Sequence, residues 1–140
     1  MAGEFFTAAK LFKRGYQTSV TLGNAKAIDL FTHNPQIKET FSVQVKTLRK
    51  RDGFDLKKED IEPKYIYVFV FLLDFEEPEE FFILRGETIL ADIDHFFGSS
   101  YKRAKPSTRP LINYGPLKRF KDNWDVFDKK LDHPTNTRTL

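Results

Sequence analysis

Four residues offer this chain its chemistry: Asp29, Gln44, Lys46 and Glu4. The stretch TFSVQVKTL at 40–48 alternates apolar and polar residues. As a strand it sets Phe41, Val43 and Val45 on one face and Ser42, Gln44 and Lys46 on the other. The preceding stretch, AIDLFTH, carries one acid, Asp29, between Ile28 and Leu30. If the turn NPQIKE is symmetric about its midpoint, opposed positions sum to 73: His33 faces Thr40, Phe31 faces Ser42 and Asp29 faces Gln44. Directly opposed side chains lie about 5 Å apart, and the diagonal neighbour Lys46 is also within reach. A slip of one residue would move Asp29 to the other face.

A carboxylate, a side-chain amide and an ammonium at one spot suit phosphodiester hydrolysis. Asp29 and the Gln44 carbonyl are hard oxygen ligands for Mg²⁺ or Mn²⁺, and such an ion lowers the pKa of bound water. Lys46 can stabilise charge developing on the phosphate or hold the attacking water. Glu4 shares a helical stripe with Ala8 and Leu11 and adds a further oxygen from the start of the first helix. The competing reading of the same residues is a solvated strand face with an ordinary Asp29–Lys46 cross-strand ion pair.

The elements that must position these groups follow from periodicity. Residues 3–14 read as a helix with Phe5, Ala8, Ala9 and Phe12 as its apolar stripe and Gly15 as its terminator. Strands are expected at 16–22, 27–33 and 40–48, and Asp55 is placed to cap a short helix reaching Ile61. The run YIYVFVFLL at 65–73 is apolar at both parities, so it reads as a strand covered on both faces. A short strand at 80–84 follows an acidic turn. Ile89, Leu90, Ile93, Phe96 and Phe97 then mark a helix closed by Gly98. Residues 99–116 read as a loop and 116–127 as a last short helix anchored by Trp124 and Phe127. The fold class is therefore α/β, a mixed sheet with helices on its faces.

Composition narrows the function. The 140 residues contain no cysteine, which excludes disulfides, thiol nucleophiles and Cys-ligated metal. The longest apolar run is strand-length, so no membrane partner is expected. The first residues do not follow the charge order of a secretory signal, and the expected location is cytoplasmic. The net charge of +3 is unevenly spread. Residues 1–71 carry twelve bases against eight acids, 72–97 one base against eight acids, and 98–140 ten bases against four acids. Two basic segments flanking an acidic one can present a cationic face to a polyanion. GNAK at 23–26 lacks the spacing of a phosphate loop, and the three histidines are too scattered to form a metal site.

Asp29, fourteen residues, then Gln44-Val45-Lys46 resembles the split D…(E/Q)xK signature of the PD-(D/E)XK nuclease superfamily. The acid at the start of the first helix and the segment RGYQTSVTLGNAKAIDL resemble its small resolvase-like and group I intron homing branches, and NYGPLKRFKDNWDVF resembles endonuclease-like tails. The resemblance implies a restriction-endonuclease-like αβββ(α)β core with added C-terminal helices. It also implies one nuclease-like domain over 1–140, with 1–73 as catalytic core and 99–121 as a basic DNA-contacting loop and tail. By that resemblance Asp29, Gln44 and Glu4 would be metal ligands and Lys46 the catalytic lysine. Gln44 stands where most members have Glu, leaving two anionic ligands. The expected activity is Mg²⁺-dependent DNA cleavage by a homo-oligomer, dimer or tetramer, since cutting a duplex needs two sites. A non-catalytic nuclease-fold nucleic-acid-binding or accessory protein is the alternative. A plain α/β module meeting a protein partner through its acidic 74–80 segment is a third reading.

DNA-binding candidates are Lys26, then Arg49, Lys50 and Arg51 after the catalytic strand, and Lys102, Arg103, Lys105 and Arg109. The last four lie in a stretch, 101–121, with seven bases and no acid, in which Tyr101 and Tyr114 could stack on bases. Each basic stretch also reads as a solvated loop, and 101–121 is the better binding candidate of the two.

Overall fold

A segment with no polar side chain at either parity must be covered from both sides, and residues 66–71 are buried without exception. In the computed structural model, which describes residues 1–21, 28–98 and 110–131, the chain begins with helix α1 (Ala2–Lys13) and strands β1 (Gln17–Val20), β2 (Leu30–Asn34) and β3 (Glu39–Leu48). Strands β4 (Phe54–Asp55), β5 (Ile66–Phe71) and β6 (Glu80–Arg85) follow, with a 3₁₀ turn at Lys58–Asp60. Helices α2 (Gly86–Leu90) and α3 (Ile93–Phe97), strand β7 (Leu111–Ile112), helix α4 (Tyr114–Leu117) and 3₁₀ turns at Lys118–Phe120 and Trp124–Asp128 complete the described chain. Five strands form one mixed sheet in the order β1-β2-β3-β5-β6; β3 and β5 run parallel and the other neighbours antiparallel. The α+β mixed sheet expected from the sequence is the observed class.

Two apolar layers flank the sheet, one on each face. On one face Phe41, Val43, Val45, Val68 and Ile83 pack with Ala8 and Leu11 of α1 and with Trp124 and Phe127. On the other, Tyr67, Phe69, Phe71 and Phe82 pack under Phe54, Ile89, Phe96 and Ile112. The β2–β3 register follows the symmetric turn: Leu30 opposes Val43, Phe31 opposes Ser42 and His33 opposes Thr40. The turn itself is held by the Gln36 amide donating to Asn34 Oδ1 at 3.0 Å.

Four expectations are corrected. Helix α1 turns Phe5 and Phe12 outward, each 56% exposed, and buries Gly3, Thr7, Ala8 and Leu11 instead. Close approach decides this face. A Cβ on Gly3 would lie 1.9 Å from Thr47 Oγ1, so only the small-residue side fits against β3. Thr7 tolerates burial because its hydroxyl donates to the Gly3 carbonyl at 2.7 Å. Gly15, at φ +89°, ends the helix as expected: its amide donates to Phe12 and that of Tyr16 to Leu11.

Asp55 caps no helix and lies in β4, which pairs with β7. The stripe at 89–97 is two short helices, broken where Asp92 leaves helical geometry at φ −145°. The last segment is likewise interrupted, by Asp122 at φ 52°. Lys26 and residues 102, 103, 105 and 109 lie outside the described residues.

Candidate active site

Asp29 lies where β2 stops pairing regularly. Continuing the register would oppose it to Gln44, but its amide donates to the Val43 carbonyl at 2.9 Å. On its other side the Thr21 amide donates to the Asp29 carbonyl, also at 2.9 Å. The side chain then takes a bond that the ladder would otherwise make: the Val45 amide donates to Asp29 Oδ2 at 2.8 Å. That amide belongs to the peptide joining Gln44 to Val45, so the carboxylate is fixed to the backbone of β3 immediately before Lys46.

The electrostatics tie in two further residues. Partial burial pushes the Asp29 carboxyl above its ordinary pKa, and the nearby Glu4 carboxylate pushes it further. The Val45 amide, the Lys46 ammonium and the N-terminal ammonium act in the opposite direction without cancelling the rise. Asp29 and Lys46 form no ion pair within 4 Å among the described residues. The cross-strand salt bridge that competed for these residues is therefore not what their placement produces.

Three side-chain oxygens here are buried without a hydrogen bond: Glu4 Oε2, Gln44 Oε1 and Thr47 Oγ1. Glu4 Oε2 has an ion pair, the Met1 α-ammonium at 3.0 Å. A buried oxygen left without a donor costs about 1–3 kcal/mol, more when charged. Two of the three belong to the residues singled out for chemistry. Among the described residues no group of three or more His, Cys, Asp or Glu side chains converges on a metal-sized position. The hard-oxygen set at hand is two carboxylates, Asp29 and Glu4, and one amide oxygen, Gln44. It fits Mg²⁺ chemically, because that ion is held by one or two carboxylates and keeps several waters.

The basic residues divide. Arg49 and Lys50 are exposed after β3. Arg51 Nε donates to Glu80 at 2.8 Å, Lys121 lies 3.4 Å from the same carboxyl, and the two cations hold Glu80 below its ordinary pKa. Tyr114, a candidate for stacking on bases, packs edge-on against Phe71 and Phe82 at 5.3 and 5.7 Å. Lys118 lies over its ring.

Sequence reasoning missed Gly3 and Thr47. A glycine inside a helix costs about 1 kcal/mol relative to alanine, and that cost is the signal for close backbone approach.

No family model matches the chain, and no curated protein matches it. A solved structure does. The bacterial homing endonuclease I-Ssp6803I matches over 91% of this chain and 87% of its own, with a TM-score of 0.56 at 14% identity. The fold is nuclease-like. At that identity the likeness speaks for the fold, and the chemistry rests on the residues above.

Proposed function

We propose that this chain is a divalent-metal-dependent DNA endonuclease of PD-(D/E)XK type. The observation that carries the reading is a buried Gln44 Oε1 with no hydrogen-bond partner and a buried Glu4 Oε2 paired only with the Met1 α-ammonium, together with an Asp29 carboxylate bonded to β3 and Lys46 next along the strand. Asp29, Glu4 and Gln44 hold the ion. When bound, Mg²⁺ polarises the scissile phosphate and acidifies a water. Lys46 supplies fixed positive charge to the phosphoryl oxygens as negative charge builds on them, a contribution of the order of 10²–10³ in rate. The Val45 amide holds the Asp29 carboxylate in place. Arg49, Lys50 and the bases Lys26, Lys102, Arg103, Lys105 and Arg109 meet backbone phosphates. A second copy supplies the second cut of a duplex, making the working form a dimer or tetramer.

The test is cleavage of a supercoiled plasmid and a branched duplex with and without Mg²⁺. Nicking or linearisation that needs the ion, and that Lys46→Ala abolishes while DNA affinity stays within about threefold, supports the proposal. Gln44 in place of a third carboxylate favours one second reading, a nuclease-fold subunit that binds DNA without cutting. Metal-independent binding with no cleavage of either substrate would select it.

A further inference from the structure

The two antiparallel ladders align three strands into rows. Gln17, His33 and Thr40 form one row, and Ser19, Phe31 and Ser42 the next. Opposed residues of antiparallel strands share a face, so all six project from one side of the sheet. Gln17, Ser19, Phe31 and Thr40 are exposed, and His33 and Ser42 half-buried. The alternate residues Leu30, Thr32, Phe41 and Val43 are buried beneath. The next residue of β3 on the same side is Gln44, and Asp29 immediately precedes β2, its carboxylate accepting from the Val45 amide. The rows therefore run straight into the candidate site. Beyond it the same side of β5 and β6 carries Tyr67, Phe69, Phe71 and Phe82, roofed by the second apolar layer. The sheet thus has an open floor over β1–β3 that ends at a wall, with the site at the corner.

The floor's chemistry is unlike that of a surface facing only solvent. Asp, Glu, Lys and Arg make up 31% of the chain, yet none of these six is one of them. Five can both donate and accept hydrogen bonds. An acid here would repel a phosphodiester, and a base would hold any phosphate in any register. The sixth, Phe31, leaves 38% of an aromatic side chain in water. It lies two residues from Asp29, about 7 Å along the strand. His33 Nδ1 is 2.8 Å from Thr40 Oγ1, which fixes the ring.

We infer that this open face of β1, β2 and β3 is the floor on which duplex DNA lies beside the scissile phosphate. Phe31 meets a sugar, base face or thymine methyl next to the site. Gln17, His33 and Thr40 read polar edges about 13 Å from it, two rows along. The inference rests on the endonuclease reading and adds which surface holds the duplex.

The test uses Lys46→Ala protein, which binds without cutting, and measures affinity for duplex DNA by fluorescence anisotropy. Ser19→Glu and Thr40→Glu should each weaken binding at least tenfold. Ala9→Glu, the same charge change on the outward side of α1, should stay within twofold. The neutral Phe31→Ser should also cost about tenfold, the scale of one lost stacking contact. Circular dichroism melts and Mn²⁺ titration confirm that fold and metal site persist, and any floor variant that melts early is set aside for the other two. Floor variants that bind no worse than Ala9→Glu would overturn the floor and leave the endonuclease reading standing. A parent that binds no DNA would overturn both.

Discussion

Two halves of one sheet show opposite uses of the same backbone. In β5 and in β6 between its charged ends, Glu80 and Arg85, both faces are sealed and the side chains at both parities are buried. In β1, β2 and the paired part of β3 one face is sealed and the other is polar and open. The boundary runs along β3, which pairs with β2 on one side and β5 on the other. Gln44 and Lys46 stand on that boundary, opposite Tyr67 and Phe69. At the edge between the two halves Gln44 Oε1 and Thr47 Oγ1 are buried without a hydrogen-bond partner. Buried groups left without partners cost free energy, and only a well-packed neighbour can offset that.

The comparison breaks first at Phe69. Fully buried among Phe54 and Tyr67, it should lose about 3–5 kcal/mol on truncation to Ala in urea unfolding, whereas Ser42→Ala on the open half should change stability by less than about 0.5 kcal/mol. Similar losses at both positions would erase the distinction between the halves.

Gly3 tests the joint between α1 and the site. Gly3→Ala drives a methyl group against Thr47 Oγ1 and should cost about 1–3 kcal/mol, shifting Glu4 and weakening divalent-metal binding. Adding Thr47→Ala should recover part of the loss, a coupling that a double-mutant cycle measures.

Asp29 gives a pH signature. Its folded pKa is raised, so the folded state holds a proton that the unfolded state releases, and ionising Asp29 erodes stability as pH climbs above its ordinary 3.8. Asp29→Asn should therefore raise the metal-free Tm at pH 7, with the gain shrinking as pH falls toward 3.8. A lower Tm at pH 7 would mean the carboxylate serves the fold rather than the site.

The smallest effect belongs to Glu80, whose pKa is lowered by Arg51 and Lys121. Its contribution is present above the ordinary carboxylate value and disappears as pH falls through the depressed one. Glu80→Gln should cost up to about 1 kcal/mol at pH 7 and nothing once both forms are protonated.

The legible parts of this molecule are those governed by strict periods. The β2–β3 register followed from a symmetric turn, and β5 was recognisable as doubly covered because a surface strand would have shown polar residues at one parity. The alternation of β3 was legible, setting Ser42, Gln44 and Lys46 on the face opposite buried Phe41, Val43 and Val45. The face of α1 was not. Hydrophobicity favours burying Phe5 and Phe12, but the close contact of Gly3 with Thr47 fixes the helix, and contact across 44 residues leaves no periodic trace. The break at Asp92 and the left-handed turn at Asp122 were equally hidden, since apolar spacing continues through both. The bond from the Val45 amide to Asp29 depends on β2 leaving its register, which alternation cannot encode.

The central claim is that Asp29, Gln44 and Glu4 together hold a divalent ion. Titrating Mn²⁺ into the protein and counting bound ion by electron paramagnetic resonance tests it directly. The account predicts saturable binding in the parent, tighter binding in Gln44→Glu, which adds an anionic ligand of nearly the same shape, and loss of binding in Asp29→Asn. Equal Mn²⁺ binding by the parent and Asp29→Asn, or weaker binding by Gln44→Glu, would contradict it.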